Sequence, residues 1–314
     1  MDQTLVKDMK EPTRDYEQLM DSLSENERIE RVLADGKDVD VIDSNGLSPL
    51  HWRAGEGTEV DAVRLLLAHG ANVNAIDKWG MAPLHYACGP RGSASMIDLL
   101  VTHGADIDAM DTYGHTPLYF ASQNRRRELV DALLMHSADV NPARMQEGDT
   151  PLHCAAFWRE ADIVKALLRH GADAAALNAS GETPLCSPVL WGNTEIVQIF
   201  LNHGVDSSVA SKHGMTALHV ASSGGHTNVV SMLLKHGVDV HAVNERGENA
   251  LHTASQHGNL DVVRLLLAYG ANANIVSKDG KTAMHWASKW GHTKIVETLS
   301  TQTLVSEVAL KVFG

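Results

Sequence analysis

Eighteen histidines and three cysteines in a chain of 314 residues are the side chains here that could do chemistry. Imidazole titrates near neutral pH and binds zinc, and a thiolate is both a metal ligand and a nucleophile. The spacing argues for another use. Six histidines, His51, His85, His153, His219, His252 and His285, each lie in a motif close to Thr-Pro-Leu-His. Six more, His69, His103, His136, His170, His203 and His236, each precede a Gly or Ser, and His226 and His292 share a third position. Fourteen of the eighteen therefore recur with a sequence period, which points to architecture rather than to one cluster. Cys88, Cys154 and Cys186 are odd in number and at no metal-like spacing, which fits a reducing compartment, with Cys154 and Cys186 serving as packing residues. No nucleophile–base pair, glycine-rich phosphate loop or clustered metal ligands stands out. The sequence predicts no catalytic residue, no metal site, no cofactor and no enzyme.

The period itself is set by a leading glycine at 46, 80, 114, 148, 181, 214, 247 and 280, spaced by 34 and then 33 residues. A polar stretch such as Asp43-Ser44-Asn45 or Asp77-Lys78-Trp79 precedes it, as in a hairpin tip where glycine takes a positive φ. A helix start follows, as in Ser48-Pro49-Leu50-His51, Thr116-Pro117-Leu118-Tyr119, Thr150-Pro151-Leu152-His153 and Thr216-Ala217-Leu218-His219. The hydroxyl caps free amides, proline at the first helical position loses no needed donor, and the histidine stands where a capping box reaches back. A second helix, such as Val63-Arg64-Leu65-Leu66-Leu67, is apolar enough to stack, and Gly70-Ala71, Gly104-Ala105, Gly171-Ala172 and Gly270-Ala271 end it. A repeat of this length cannot bury its apolar face alone, so neighbours stack into a solenoid that presents a surface.

These in-register motifs resemble the ankyrin repeat family from Asp43 to Ser300. The resemblance implies a mainly α fold: a right-handed, curved solenoid of stacked helix-turn-helix repeats with β-hairpin loops projecting at one edge. It divides the chain into a flexible acidic N-terminus (1–12), a degenerate N-terminal cap repeat (13–42), eight repeats (43–76, 77–110, 111–144, 145–177, 178–210, 211–243, 244–276 and 277–300) and an apolar C-terminal tail or cap (301–314). The cap is read from Ile29-Glu30-Arg31-Val32-Leu33 followed by Gly36, and the tail from Leu304, Val305, Val308, Leu310, Val312 and Phe313.

The net charge is −13, and residues 1–42 hold about half of it. That balance disfavours nonspecific binding to nucleic acid or anionic lipid and favours a neutral or basic protein partner. The N-terminus is charged without an apolar signal region, and no apolar run approaches a membrane span, so a monomer in the cytoplasm or nucleus is expected. Two classes of function remain. One is a protein-binding adaptor or regulator, of which a transcription co-regulator masking a basic segment is a narrower form. The other is a structural or scaffolding subunit of a larger complex; a microbial host-directed effector is a further alternative.

The family resemblance also says where a partner would be read: the two residues before each leading glycine, the residue after it, and the two residues before the glycine between the helices. These positions carry Trp79, Met81, Tyr113, His115, Phe157, Trp158, Leu190, Trp191, Lys212, His213, Met215, His257 and Trp290. Four of the six tryptophans fall on them, while Trp52 and Trp286 follow the motif histidine and are expected to pack inside. The alternative for any single ring is packing on the neighbouring repeat. Departures from the pattern lie nearby. Cys186 replaces the motif histidine and Pro188 an early helical residue, which predicts a distorted helix. Arg125-Arg126-Arg127 stands where Gly-His is usual, either as a solvated turn or as a local basic contact beside the aromatic residues.

Overall fold

The computed structural model describes residues 38–57, 60–142, 148–211 and 213–302. The predicted N-terminal cap, apart from residues 38–42, and the apolar tail beyond residue 302 lie outside the described residues, as does Lys212. Two compact bodies divide the chain: Met1–Ala155 with Arg169–Ala172, and Ala156–Leu168 with Asp173–Gly314. The first contains α1 (Pro49–Glu56), α2 (Val60–Ala68), α3 (Pro83–Ala87), α4 (Ala94–Thr102), α5 (Pro117–Gln123), α6 (Arg127–Met135) and most of α7 (Pro151–Phe157). The second contains most of α8 (Ala161–Arg169), then α9 (Cys186–Leu190), α10 (Thr194–Asn202), α11 (Ala217–Ser223), α12 (Thr227–Lys235), α13 (Ala250–Gln256), α14 (Leu260–Ala268), α15 (Ala283–Lys289) and a last helix, α16, over 293–302.

Within each body the layers are simple. In the first, α1 packs on α3 and α3 on α5, while α2 packs on α4 and α4 on α6. In the second, α9, α11, α13 and α15 stack in order, with α10, α12 and α14 behind them. The motif leucines Leu50, Leu84, Leu118 and Leu218 are buried, as are Leu66, Leu100, Leu233 and Leu266 from the second helices. Burying one such side chain contributes about 1.5–3 kcal/mol, so short helices that are marginal alone hold together through stacking. This is a solenoid of helix-turn-helix repeats.

The hairpin loops are tight turns rather than two-stranded ladders. Asp77 N–H donates to Met81 O at 3.1 Å, Asp111 N–H to His115 O at 3.0 Å and Asn244 N–H to Glu248 O at 2.9 Å. One backbone bond joins successive tips, such as Thr112 N–H to Trp79 O at 2.9 Å or Lys278 N–H to Arg246 O at 2.8 Å. Pairing this brief produces no strand among the described residues.

The helix that carries Cys186 and Pro188 departs from the others as its sequence predicts. It begins at Cys186 rather than at the motif proline, and Leu185 before it is already helical (φ −70°, ψ −24°). The thiol lies 3.7 Å from Thr183 Oγ1, a weak substitute for the reciprocal histidine cap, and Pro188 has no N–H to donate.

Candidate protein-binding surface

Four of the motif histidines, His51, His85, His219 and His252, spend both ring nitrogens on the fold. Ser48 N–H donates to Nδ1 of His51 at 3.0 Å, and Nε2 of His51 donates to Met81 O of the next repeat at 3.1 Å. His85 repeats this with Ala82 N–H (2.9 Å) and His115 O (3.1 Å), and His219 with Thr216 N–H (3.3 Å) and Glu248 O (2.9 Å). His252 does so with Asn249 N–H (3.2 Å) and Lys281 O (3.1 Å). Each ring must be neutral to accept at Nδ1 and donate at Nε2, and burial lowers the pKa of all four below its ordinary 6.5. A second group caps helix ends: Nδ1 of His69, His103 and His236 donates to the carbonyls of Leu65, Leu99 and Met232 at 2.8–2.9 Å. Burial also pushes the thiols up, Cys154 to about 12, and Cys88 is fully buried. Among the described residues no three His, Cys, Asp or Glu side chains gather closely enough to hold a metal ion.

The hairpin tips likewise turn most of their side chains inward. Asp77 is buried, its Oδ1 accepting from Trp79 N–H (2.8 Å) and Met81 N–H (2.9 Å) and its Oδ2 from Tyr86 Oη (2.6 Å). Trp79 and Met81 beside it are half-buried. His115 is half-buried too, stacked on Tyr119 with ring centroids 4.2 Å apart and bonded to Asp111 Oδ2 at 3.1 Å. The Asp111 carboxyl sits below its ordinary range because the bonds from His115 and Tyr113 outweigh the opposing effect of burial. Met215 is half-buried under Asn244, whose amide lies 3.5 Å from its sulfur. Tyr113 and His213 remain exposed at their tips.

The turn after each first helix behaves differently. Phe157, Trp158, Leu190 and Trp191 are large apolar side chains 48%, 44%, 51% and 53% exposed. Phe157 and Trp158 end α7 and meet edge to face, centroids 5.2 Å apart. Leu190, the last residue of α9, and Trp191, its C-cap, occupy the equivalent places. Nε2 of His226 donates to Leu190 O at 2.8 Å, and a Cβ on Gly192 (φ +67°) would lie 2.5 Å from that ring. The imidazole thus fixes the backbone that carries Trp191. Trp290 is exposed in the last described repeat, where Lys289 Nζ lies 5.6 Å from its ring centre and 4.9 Å from that of Trp286. Trp52 and Trp286 are half-buried with indole N–H groups that are buried and unpaired.

One residue of this face was not singled out from the sequence. Arg159 follows Trp158 where later turns carry Gly192, Gly225, Gly258 and Gly291, and it keeps their left-handed conformation at φ 64°. That conformation costs a residue with a Cβ about 1 kcal/mol. Its guanidinium lies 5.8 Å from the centre of the Trp191 ring and so ties the Trp158 turn to the Trp191 turn. The sequence signal was a break in the column of turn glycines. Arg125 makes the same break at φ 61° in the first body. Of its neighbours, Arg126 is turned onto the carbonyls of Gly89, Pro90 and Gly92 and onto Glu128, and Arg127 pairs with Asp131 at 2.7 Å. Arg126 and Arg127 are thereby engaged within the fold.

Two further findings bear on what this surface is for. A family model described as ankyrin repeats (3 copies) matches residues 19–111, 90–178, 170–244 and 236–306. No curated protein matches the chain significantly.

Proposed function

Since the chain belongs to the ankyrin repeat family, whose repeats bind other proteins, we propose that it is an adaptor or regulator acting by binding rather than by catalysis. The observation that carries this reading is the row Phe157, Trp158, Leu190 and Trp191, four large apolar side chains each about half exposed in consecutive repeats of a solenoid. Contiguous exposed aromatics are what the core of an interface is made of, and left uncovered they are an aggregation liability. Trp158 and Trp191 are the anchors. In the same body His213, exposed at its hairpin tip, sets specificity and Trp290 offers a separate contact, while in the first body Tyr113 is an exposed tip residue that offers a contact of its own. Trp79, Met81, His115 and Met215 support the tips from half-buried positions.

The net charge of −13 favours a neutral or basic protein and a soluble setting, cytoplasmic or nuclear. Among the described residues no helix is long and apolar enough to cross a membrane. The concentration of acidic residues before position 43 also suits masking of a basic segment, such as the DNA-contacting or import region of a transcription factor.

The test is affinity capture from native lysate with quantitative mass spectrometry, comparing wild type with a folded Trp158→Ala/Trp191→Ala variant. Specific loss of a protein from the variant supports the reading and identifies the partner; a transcription factor among the losses supports the regulatory form. Retention of every wild-type partner moves the contact to the hairpins or the ends of the array and favours a structural subunit.

A further inference from the structure

Arg159 gives the aromatic row a chemistry that the net charge of the chain conceals. Glycine is the residue that adopts its backbone conformation without strain, and the equivalent turns at 192, 225, 258 and 291 use glycine. A left-handed arginine is retained at a cost to the fold, and strain of this kind gathers where a side chain has work outside the fold. The side chain is exposed, and its guanidinium sits over the exposed Trp191 ring. Nearby on α8 the ammonium of Lys165 is shared between Asp162 at 3.4 Å and Glu195 at 3.7 Å. Arg159, in contrast, meets no carboxylate among the described residues. An arginine whose guanidinium lies within cation–π range of an aromatic ring, 5.8 Å from its centre, and meets no carboxylate of the described fold suits two-pronged capture of a partner's carboxylate.

We infer that the partner segment seated on this face carries apolar side chains for Trp158 and Trp191 and, between them, an aspartate or glutamate that pairs with Arg159. This rests on the proposed binding role of the aromatic row and specifies its occupant. The inference is compatible with the acidic net charge, about half of which lies in the first 42 residues. Long-range attraction selects a neutral or basic protein as a whole, whereas the contact at Arg159 is decided over a few ångströms, where screening by water and salt is weakest. A partner of this kind has a short apolar-acidic-apolar stretch within a chain that is otherwise not acidic.

The test is selection of a phage-displayed random peptide library on the full chain, in four arms: wild type, Arg159→Gly, Arg159→Lys and Trp158→Ala/Trp191→Ala. Arg159→Gly installs the residue that other turns use and is expected to fold. The expected result is a wild-type pool rich in apolar residues, with Asp or Glu at a fixed spacing between them. Arg159→Gly should keep the apolar preference and lose the acidic enrichment at least about tenfold, and Arg159→Lys should retain part of it, having charge without the fork. Unchanged acidic enrichment with Arg159→Gly, or a wild-type pool rich in Lys and Arg at that spacing, overturns the inference while leaving the aromatic row in place. If the double tryptophan variant selects the same pool as wild type, the binding role of the face fails as well, and with it the occupant assigned to it.

Discussion

The hairpin tips and the turns after the first helices belong to the same repeats, yet they use their side chains in opposite ways. At a tip, Asp77 holds two amides and a tyrosine hydroxyl, while one motif histidine bonds the Met81 carbonyl. Trp79 and Met81 are drawn half under. In the turns of the second body, histidine and asparagine fix the backbone from the following repeat, as His226 does at Leu190 O and Asn259 at Ser222 and Ser223 O. The large side chains at 157, 158, 190 and 191 stay half in water. The tips therefore set register, and the turns are free to vary in what they present. On the proposed reading, the contrast separates residues expected to hold the array together from residues expected to serve only the partner contact.

That separation is open to attack in order of expected effect. Asp77→Ala orphans two backbone amides and the Tyr86 hydroxyl in a buried position and should destabilise by about 3 kcal/mol in denaturant unfolding. A loss below about 1 kcal/mol would mean that the tips do not hold register. His219→Ala removes both a cap and a bond to the next repeat, with an expected cost of about 2 kcal/mol. The same histidines set a pH dependence. His51, His85, His219 and His252 have folded-state pKa values below their ordinary 6.5, so below that pH the unfolded chain binds more protons than the folded one. Their contribution is complete above pH 6.5 and is lost as pH falls toward and through the lowered values. His219→Gln should flatten the melting-temperature profile below about pH 6.5, and an unchanged slope would contradict the neutral-ring account.

On the turn side the expected stability changes are small and one has the opposite sign. Trp158→Ala and Trp191→Ala, at positions about half exposed, should each alter stability by no more than about 1 kcal/mol. Arg159→Gly relieves a left-handed Cβ and should stabilise by up to about 1 kcal/mol, read from the shift in denaturation midpoint. Destabilisation by that variant would give the arginine a packing role and weaken its assignment to the surface.

Much of this arrangement was legible in the sequence because the repeat multiplies its own signal. A single Thr-x-Leu-His motif is a weak indication of a cap, but its recurrence at 51, 85, 153, 219, 252 and 285 made a structural role for histidine readable before any geometry. The distortion at Cys186 and Pro188 was readable because both residues lack something that the helix start requires. Side-chain direction at the free positions was not readable. Trp79 and Trp158 both fall on positions that the family leaves variable, yet the tip draws one half inside and the helix end leaves the other 44% exposed. Arg159 was missed because it sits beside an acidic residue in an ordinary-looking turn, and its break in the column of turn glycines gains meaning from its φ of 64° and its place by the Trp191 ring. Arg126 shows the reverse: the run of basic residues reads as a solvated turn or a local basic contact, whereas its guanidinium is spent on loop carbonyls.

The central claim is that binding and folding are carried by different edges of the repeat. Its most direct test is the affinity of Trp158→Ala/Trp191→Ala for the captured partner, measured per folded molecule by titration calorimetry beside wild type. The account predicts a loss of about 2 kcal/mol or more, roughly thirtyfold in Kd, with the unfolding transition nearly unmoved. Wild-type affinity from the folded double variant would contradict it.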